Sequence, residues 1–133
     1  MKRIHYNEFP DFVLKAQKDV LVIFYDSKRS GPEDYILAGQ FASVEARFQK
    51  ENVQSMRFYR MDIANDSVPK NIKTAALPTI YFFPAFRKET PYMHYTGDFN
   101  TAAFIEYLEE HRDIKGKAPT PKRELYSGDK LEL

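Results

Sequence analysis

Ala76-Leu77-Pro78-Thr79-Ile80-Tyr81-Phe82-Phe83-Pro84-Ala85 is the stretch that decides the fold. Between its prolines lies an unbroken run of β-branched and aromatic residues, the side chains that suit a buried pleated surface. Proline has a fixed φ and no N–H to give to a ladder, so Pro78 and Pro84 bound the run, and a strand is predicted over 77–83. Val20-Leu21-Val22-Ile23-Phe24-Tyr25 is a second such run and reads as a central strand covered on both faces. Working outward, Lys2 to Tyr6 and Arg57 to Met61 are predicted strands, the latter ending at Asp62. Tyr92 to Tyr95 is read as an antiparallel neighbour of 77–83 across the Pro84–Pro91 connection.

Helical spacing fills the gaps. Asn7 is read as the N-cap of a short helix that turns Phe9, Phe12 and Val13 inward, and Ile36, Leu37, Phe41, Val44 and Phe48 mark the apolar stripe of a long helix over 31–50. A short helix is expected over 67–74, with Val68 and Ile72 inward. Gly97 ends the last strand, and Asn100 caps a final helix that lays Phe104, Ile105 and Leu108 on the sheet. Strands alternating with helices make this an α/β protein. The segment from Ile114 to Leu133 holds Gly116, Pro119, Pro121, Gly128 and several lysines among few apolar anchors, so residues 114–133 are expected to form a flexible basic tail beyond a domain of 1–113.

Composition sets limits on partners. The 133 residues suffice for one domain that buries roughly two-thirds of its unfolded surface, and 11 Phe with 9 Tyr supply large rings for the core. Twenty basic against nineteen acidic side chains leave a net charge of +1, which argues against a nucleic acid as partner. No apolar run approaches the roughly 20 residues that span a bilayer, so no membrane association is expected.

The order of Val20–Tyr25, Met61-Asp62, Ala76–Ala85, Tyr95-Thr96-Gly97 and Phe104-Ile105-Glu106-Tyr107-Leu108 resembles a thioredoxin domain of the protein disulfide isomerase family, over Lys2 to Asp113. The Leu-Pro-Thr-x-x-Phe-Phe-Pro stretch is its most specific part. The resemblance implies a thioredoxin fold, a central mixed β-sheet flanked by helices, with Pro78 in the family's cis-proline turn. Such a turn leaves the backbone of Leu77 facing the groove beside the active-site turn, where an extended peptide can pair by strand addition and where Tyr25 and Tyr35 are expected to line the walls. Beside this stands the plainer reading that Pro78 only starts the strand and fixes the topology.

Against that resemblance, the chain contains no cysteine. Where the family carries Trp-Cys-Gly-His-Cys, this sequence has Asp26-Ser27-Lys28-Arg29-Ser30-Gly31-Pro32-Glu33. Without a thiol there is no thiolate, no mixed disulfide and no thiol–disulfide enzyme. The family's buried proton-accepting carboxylate is matched by Ile23, so a second requirement of the same reaction is missing. Burying an unpartnered charge is costly, and an apolar residue is the stable choice once the thiols are gone. Ser30-Gly31-Pro32-Glu33 has the spacing of a capping box, which would make the former active-site turn a helix cap worth about 1 kcal/mol.

Other chemistry finds little support. Ser30 as a nucleophile would need a base, and the resemblance places His5, His94 and His111 away from that turn. Lys28 and Arg29 are read as ordinary solvated charges. Glu109-Glu110-His111-Arg112 splays around a helix end and reads as a solvated terminus, while Asp62 and Asp66 lack the spacing of a calcium loop. No catalytic residue, metal, cofactor or small-molecule substrate is expected. Lys130-Leu131-Glu132-Leu133 is similar to the Lys-Asp-Glu-Leu retrieval address, and Asn65-Asp66-Ser67 is an acceptor sequon for N-glycosylation, which together predict the lumen of the endoplasmic reticulum. Three roles follow. One is a redox-inactive domain that binds or scaffolds unfolded or partly folded polypeptides or partner oxidoreductases in that lumen. The others are a cysteine-free adaptor docking to a folded partner in the cytosol or nucleus, and a structural spacer in a longer chain.

Overall fold

The computed structural model describes residues 1–29 and 32–115, with side chains described outside 32–36. Five strands form one sheet: β1 (Lys2–Arg3), β2 (Asp19–Tyr25), β3 (Met56–Asp62), β4 (Thr79–Phe83) and β5 (Met93–His94). Their spatial order is β1-β3-β2-β4-β5. β2 is parallel to β3 and antiparallel to β4, which is antiparallel to β5. The sheet is therefore mixed. α1 (Pro32–Lys50) is the crossover from β2 to the parallel β3, and α2 (Thr101–His111) follows β5.

β2 shows why a continuous apolar run was needed. Leu21 and Ile23 pack with Leu37, Phe41, Phe48, Phe58, Ile80, Phe82, Phe104 and Leu108, on the face covered by α1 and α2. Val20, Val22 and Phe24 point the other way, into Ile4, Phe9, Val13, Met61, Tyr81 and Phe83. The period of two along the strand thus divides one run between two cores. The two helices meet where Phe41 stacks on Phe104, with centroids 4.6 Å apart.

Several local expectations are corrected. β1 stops at Arg3, and Tyr6–Glu8 form a 3₁₀ turn whose N-cap is His5, so Asn7 lies inside the turn rather than before it. The helix expected over 67–74 is absent: Asn71 has φ of 70°, outside the helical region, and only Ile72 N–H to Pro69 C=O closes a turn there. Ile72 is buried as expected, whereas Val68 is exposed. Arg112 is no solvated end residue. Its side chain is buried over Phe48 and bonded twice to Glu109, at 2.8 and 2.9 Å.

Asn100 caps α2 as read, its Oδ1 accepting from Ala103 N–H at 2.9 Å. Asn100→Ala is expected to lower the unfolding free energy by about 1 kcal/mol with the denaturant m-value unchanged, measured by urea unfolding. The anchored chain runs to Ile114, because buried Asp19 accepts from the N–H groups of Asp113 and Ile114 at 2.8 and 2.9 Å. The rest of the expected tail from Gly116, including Lys130–Leu133, lies outside the described residues.

Candidate functional site

The carboxyl ends of β2 and β3 and the loop entering β4 converge at one end of the sheet. β2 ends at Tyr25, paired in register with Asp62 of β3, and the chain then turns through a 3₁₀ segment at Ser27–Arg29. Facing it, Leu77-Pro78 is a cis peptide that leads directly into β4. Tyr25, Asp26, Arg29, Ala75, Leu77 and Pro78 together line an open cleft of about 340 Å³. Tyr25, Leu77 and Pro78, three of the four residues expected to receive a peptide, therefore meet. The side chain of Tyr35 lies outside the described residues, as do Ser30 and Gly31 and the side chains of Pro32 and Glu33, so the capping box stands as an expectation.

Charge in the cleft comes from residues the sequence reading passed over. Arg29, read as a solvated cation, lines the cleft with its Nε 3.3 Å from the Asp26 carboxylate. Behind the turn, Asp62 is buried. It accepts from Ser27 N–H at 3.1 Å, Ala64 N–H at 3.0 Å and Asn65 Nδ2 at 2.9 Å. Burial raises its pKa, but these bonds, Ser27's first, outweigh that and hold the carboxyl below its ordinary range. The turn is thus fixed from below by an ionised carboxylate on a neighbouring strand. No single-sequence signal marks this role, since an acid closing a strand reads as a turn residue.

Ile23 sits in the apolar core between Ile80 and Arg60 in register, so the position matched to the family's buried acid is filled by hydrocarbon. His94 comes closer to the site than expected. Its Nε2 lies 2.7 Å from Oγ1 of Thr79, the residue after Pro78, and its ring stacks on Tyr81 at 4.8 Å. His5 instead reaches Asp66, and His111 packs on Tyr107. Asn65 is exposed on the turn after β3. Among the described residues no three metal-binding side chains gather, and no helix is long and apolar enough to cross a membrane.

A larger cavity, about 550 Å³, opens between the end of α1 and the start of β3, lined by Phe48, Val53, Met56 and Arg57 among others. Size does not decide between the two. At the larger cavity Arg57 Nη1 covers the carbonyls of Gln54 and Met56, blunting that strand edge. At the smaller one, Leu77 N–H and C=O have no hydrogen-bond partner among the described residues, a free edge in an ordered wall.

Comparison with known proteins agrees with this geometry. No family model matches the chain. It is 27% identical over 108 residues to a probable protein disulfide-isomerase ER-60 of Schistosoma mansoni, covering 81% of this chain and 21% of the relative. With protein disulfide-isomerase A3 of Gallus gallus it shares 29% over 101 residues, 76% of this chain and 19% of that one. The chain therefore spans about a fifth of the length of these relatives. Among solved structures, the zinc-bound form of human ERp44 superposes with a TM-score of 0.68 at 17% identity, over 83% of this chain and 31% of that one. Chloroplastic thioredoxin z superposes at 0.65, also at 17%, over 83% and 92%. These likenesses fix the fold as a thioredoxin fold.

Proposed function

Starting from a thioredoxin-fold domain related to the protein disulfide isomerases and lacking the Cys-x-x-Cys motif, we propose that this chain binds extended polypeptide without chemistry. Its site is the cleft between the Ser27–Arg29 turn and Leu77-Pro78. The observation that carries the reading is the backbone of Leu77 beside Pro78, unpaired among the described residues, in a cleft of a chain that holds no thiol. A free N–H and C=O on an ordered edge can take a strand at little cost, because the receptor side is ordered before binding. Tyr25 supplies an amphipathic wall, and Arg29 with Asp26 gives a charged lip.

The role that fits is scaffolding of unfolded or partly folded clients, or of partner oxidoreductases, in the lumen of the endoplasmic reticulum. Lys130–Leu133 and similarity to relatives named as disulfide isomerases support that location. A chain without a cysteine thiol cannot turn over a disulfide by thiol–disulfide exchange, so binding is the whole of its activity on this reading.

NMR titration of the ¹⁵N-labelled chain with a permanently unfolded, thiol-blocked polypeptide tests this. Amide shifts are expected at Tyr25–Arg29 and Ala75–Thr79. Shifts confined to residues beyond Lys115, or none at all, would refute it.

A further inference from the structure

We propose that Asn65 is an N-glycosylation acceptor whose glycan stands beside the cleft, on the side of the Ser27–Arg29 turn. Asn65-Asp66-Ser67 is the single Asn-x-Ser/Thr triplet in the chain, so the assignment has no competing site. The inference rests on the lumenal reading above for the occasion to meet the donor. It is independent of peptide binding.

The fold suits the modified product. Asn65 is exposed on the turn that follows β3, and Ser67 is exposed beside it. The backbone N–H groups of Asn65 and Asp66 both donate to Asp62 C=O, each at 3.1 Å, which sets the turn without using the outer face of Asn65. Its side-chain amide gives one hydrogen to Asp62 Oδ2 at 2.9 Å and has a second. In the transfer, Nδ2 forms a bond to the anomeric carbon of a lipid-linked oligosaccharyl diphosphate. The bond from that carbon to the diphosphate oxygen breaks, the lipid diphosphate leaves, and the amide loses one proton. The product keeps one N–H, the number the contact with Asp62 requires.

Asp66, the middle residue, has its charge engaged on the opposite side. Its carboxylate is largely buried, accepts Tyr6 N–H at 3.0 Å and lies 3.1 Å from His5 Nδ1. The carboxylate that holds Asn65 also holds Ser27 N–H, at 3.1 Å. Two hydrogen bonds through Asp62 therefore separate the root of the glycan from the turn that walls the cleft, and the sugar occupies solvent next to the site while leaving Leu77 open.

The full chain, translated into microsomes behind a cleavable leader, is the material for the test. Scoring only the protease-protected product removes entry as a variable. A slower-migrating form that collapses on endoglycosidase treatment is expected, absent from Asn65→Gln and Ser67→Ala and retained in Ser67→Thr. Protected chain that stays unmodified, while a control with a second sequon added after Leu133 is modified, would overturn the proposal. A modified chain whose thermal midpoint falls well below that of its deglycosylated form would overturn the claim that the fold accommodates the product. Detection of the endogenous protein only outside the lumen would count against the lumenal reading alone.

Discussion

Asp19→Ala is expected to lower the unfolding free energy by about 3–5 kcal/mol and the thermal midpoint by about 10–20 °C, read by calorimetry or circular dichroism. The carboxylate is wholly buried at the start of β2, and it accepts from the N–H groups of Ala85 and Asp113, each at 2.8 Å, and of Ile114 at 2.9 Å. Alanine leaves all three donors without their acceptor, at about 1–3 kcal/mol for each group that water cannot reach. A favourable charge–charge attraction is lost as well. Lys88 donates to the carbonyls of Val13 and Ala16, and burial pulls its ammonium down to about 8 while attraction to Asp19 opposes the fall. Against a total stability of about 5–15 kcal/mol, the loss is a large fraction. Asp19→Asn keeps one acceptor oxygen and replaces the other by a donor, so it is expected to fall between the wild type and Asp19→Ala. A thermal midpoint for Asp19→Ala within about 3 °C of the wild type would show that these donors find other partners, contrary to the burial seen.

Asp19 also marks the boundary of what the sequence discloses. A strand of six apolar residues in a row, a proline-bounded aromatic run and an asparagine before an amphipathic helix are local patterns, and each appears where expected. The donors that reach Asp19 are not local. The partners of Asp19 lie 66, 94 and 95 residues away, and only the finished fold brings them to one carboxylate. The error over 67–74 has a different source. Val68 and Ile72 sit at helical spacing, but Pro69 and the left-handed Asn71 win over that pattern. At the cleft, Tyr25, Leu77 and Pro78 were legible through the resemblance. Arg29 is exposed, as a solvated charge should be, and its place on the rim of the cleft depends on the opposite wall, which no local pattern shows. Thr90-Pro91, a second cis peptide, was not foreseen, since the residues alone do not separate the two isomers.

Asp62→Ala links stability to function. Its carboxylate is the common acceptor for Ser27 N–H, Ala64 N–H and Asn65 Nδ2, so removal is expected to lower the unfolding free energy by about 2–4 kcal/mol. Ser27 opens the turn that carries Arg29, one wall of the cleft. The amide shifts expected at Tyr25–Arg29 on adding unfolded polypeptide should therefore weaken in this variant even at temperatures where it is fully folded, while a destabilising change elsewhere, such as Asn100→Ala, leaves them intact. The pH dependence has a definite sign. Hydrogen bonding holds the folded-state pKa of Asp62 below its unfolded value, so its contribution is complete above the unfolded pKa and disappears as pH falls through the folded one. The stability gap between wild type and Asp62→Asn should accordingly be constant near neutrality and narrow below about pH 4. A gap that widens on acidification would mean that the buried carboxylate is protonated in the folded chain, and the turn would then need another support than an ionised Asp62.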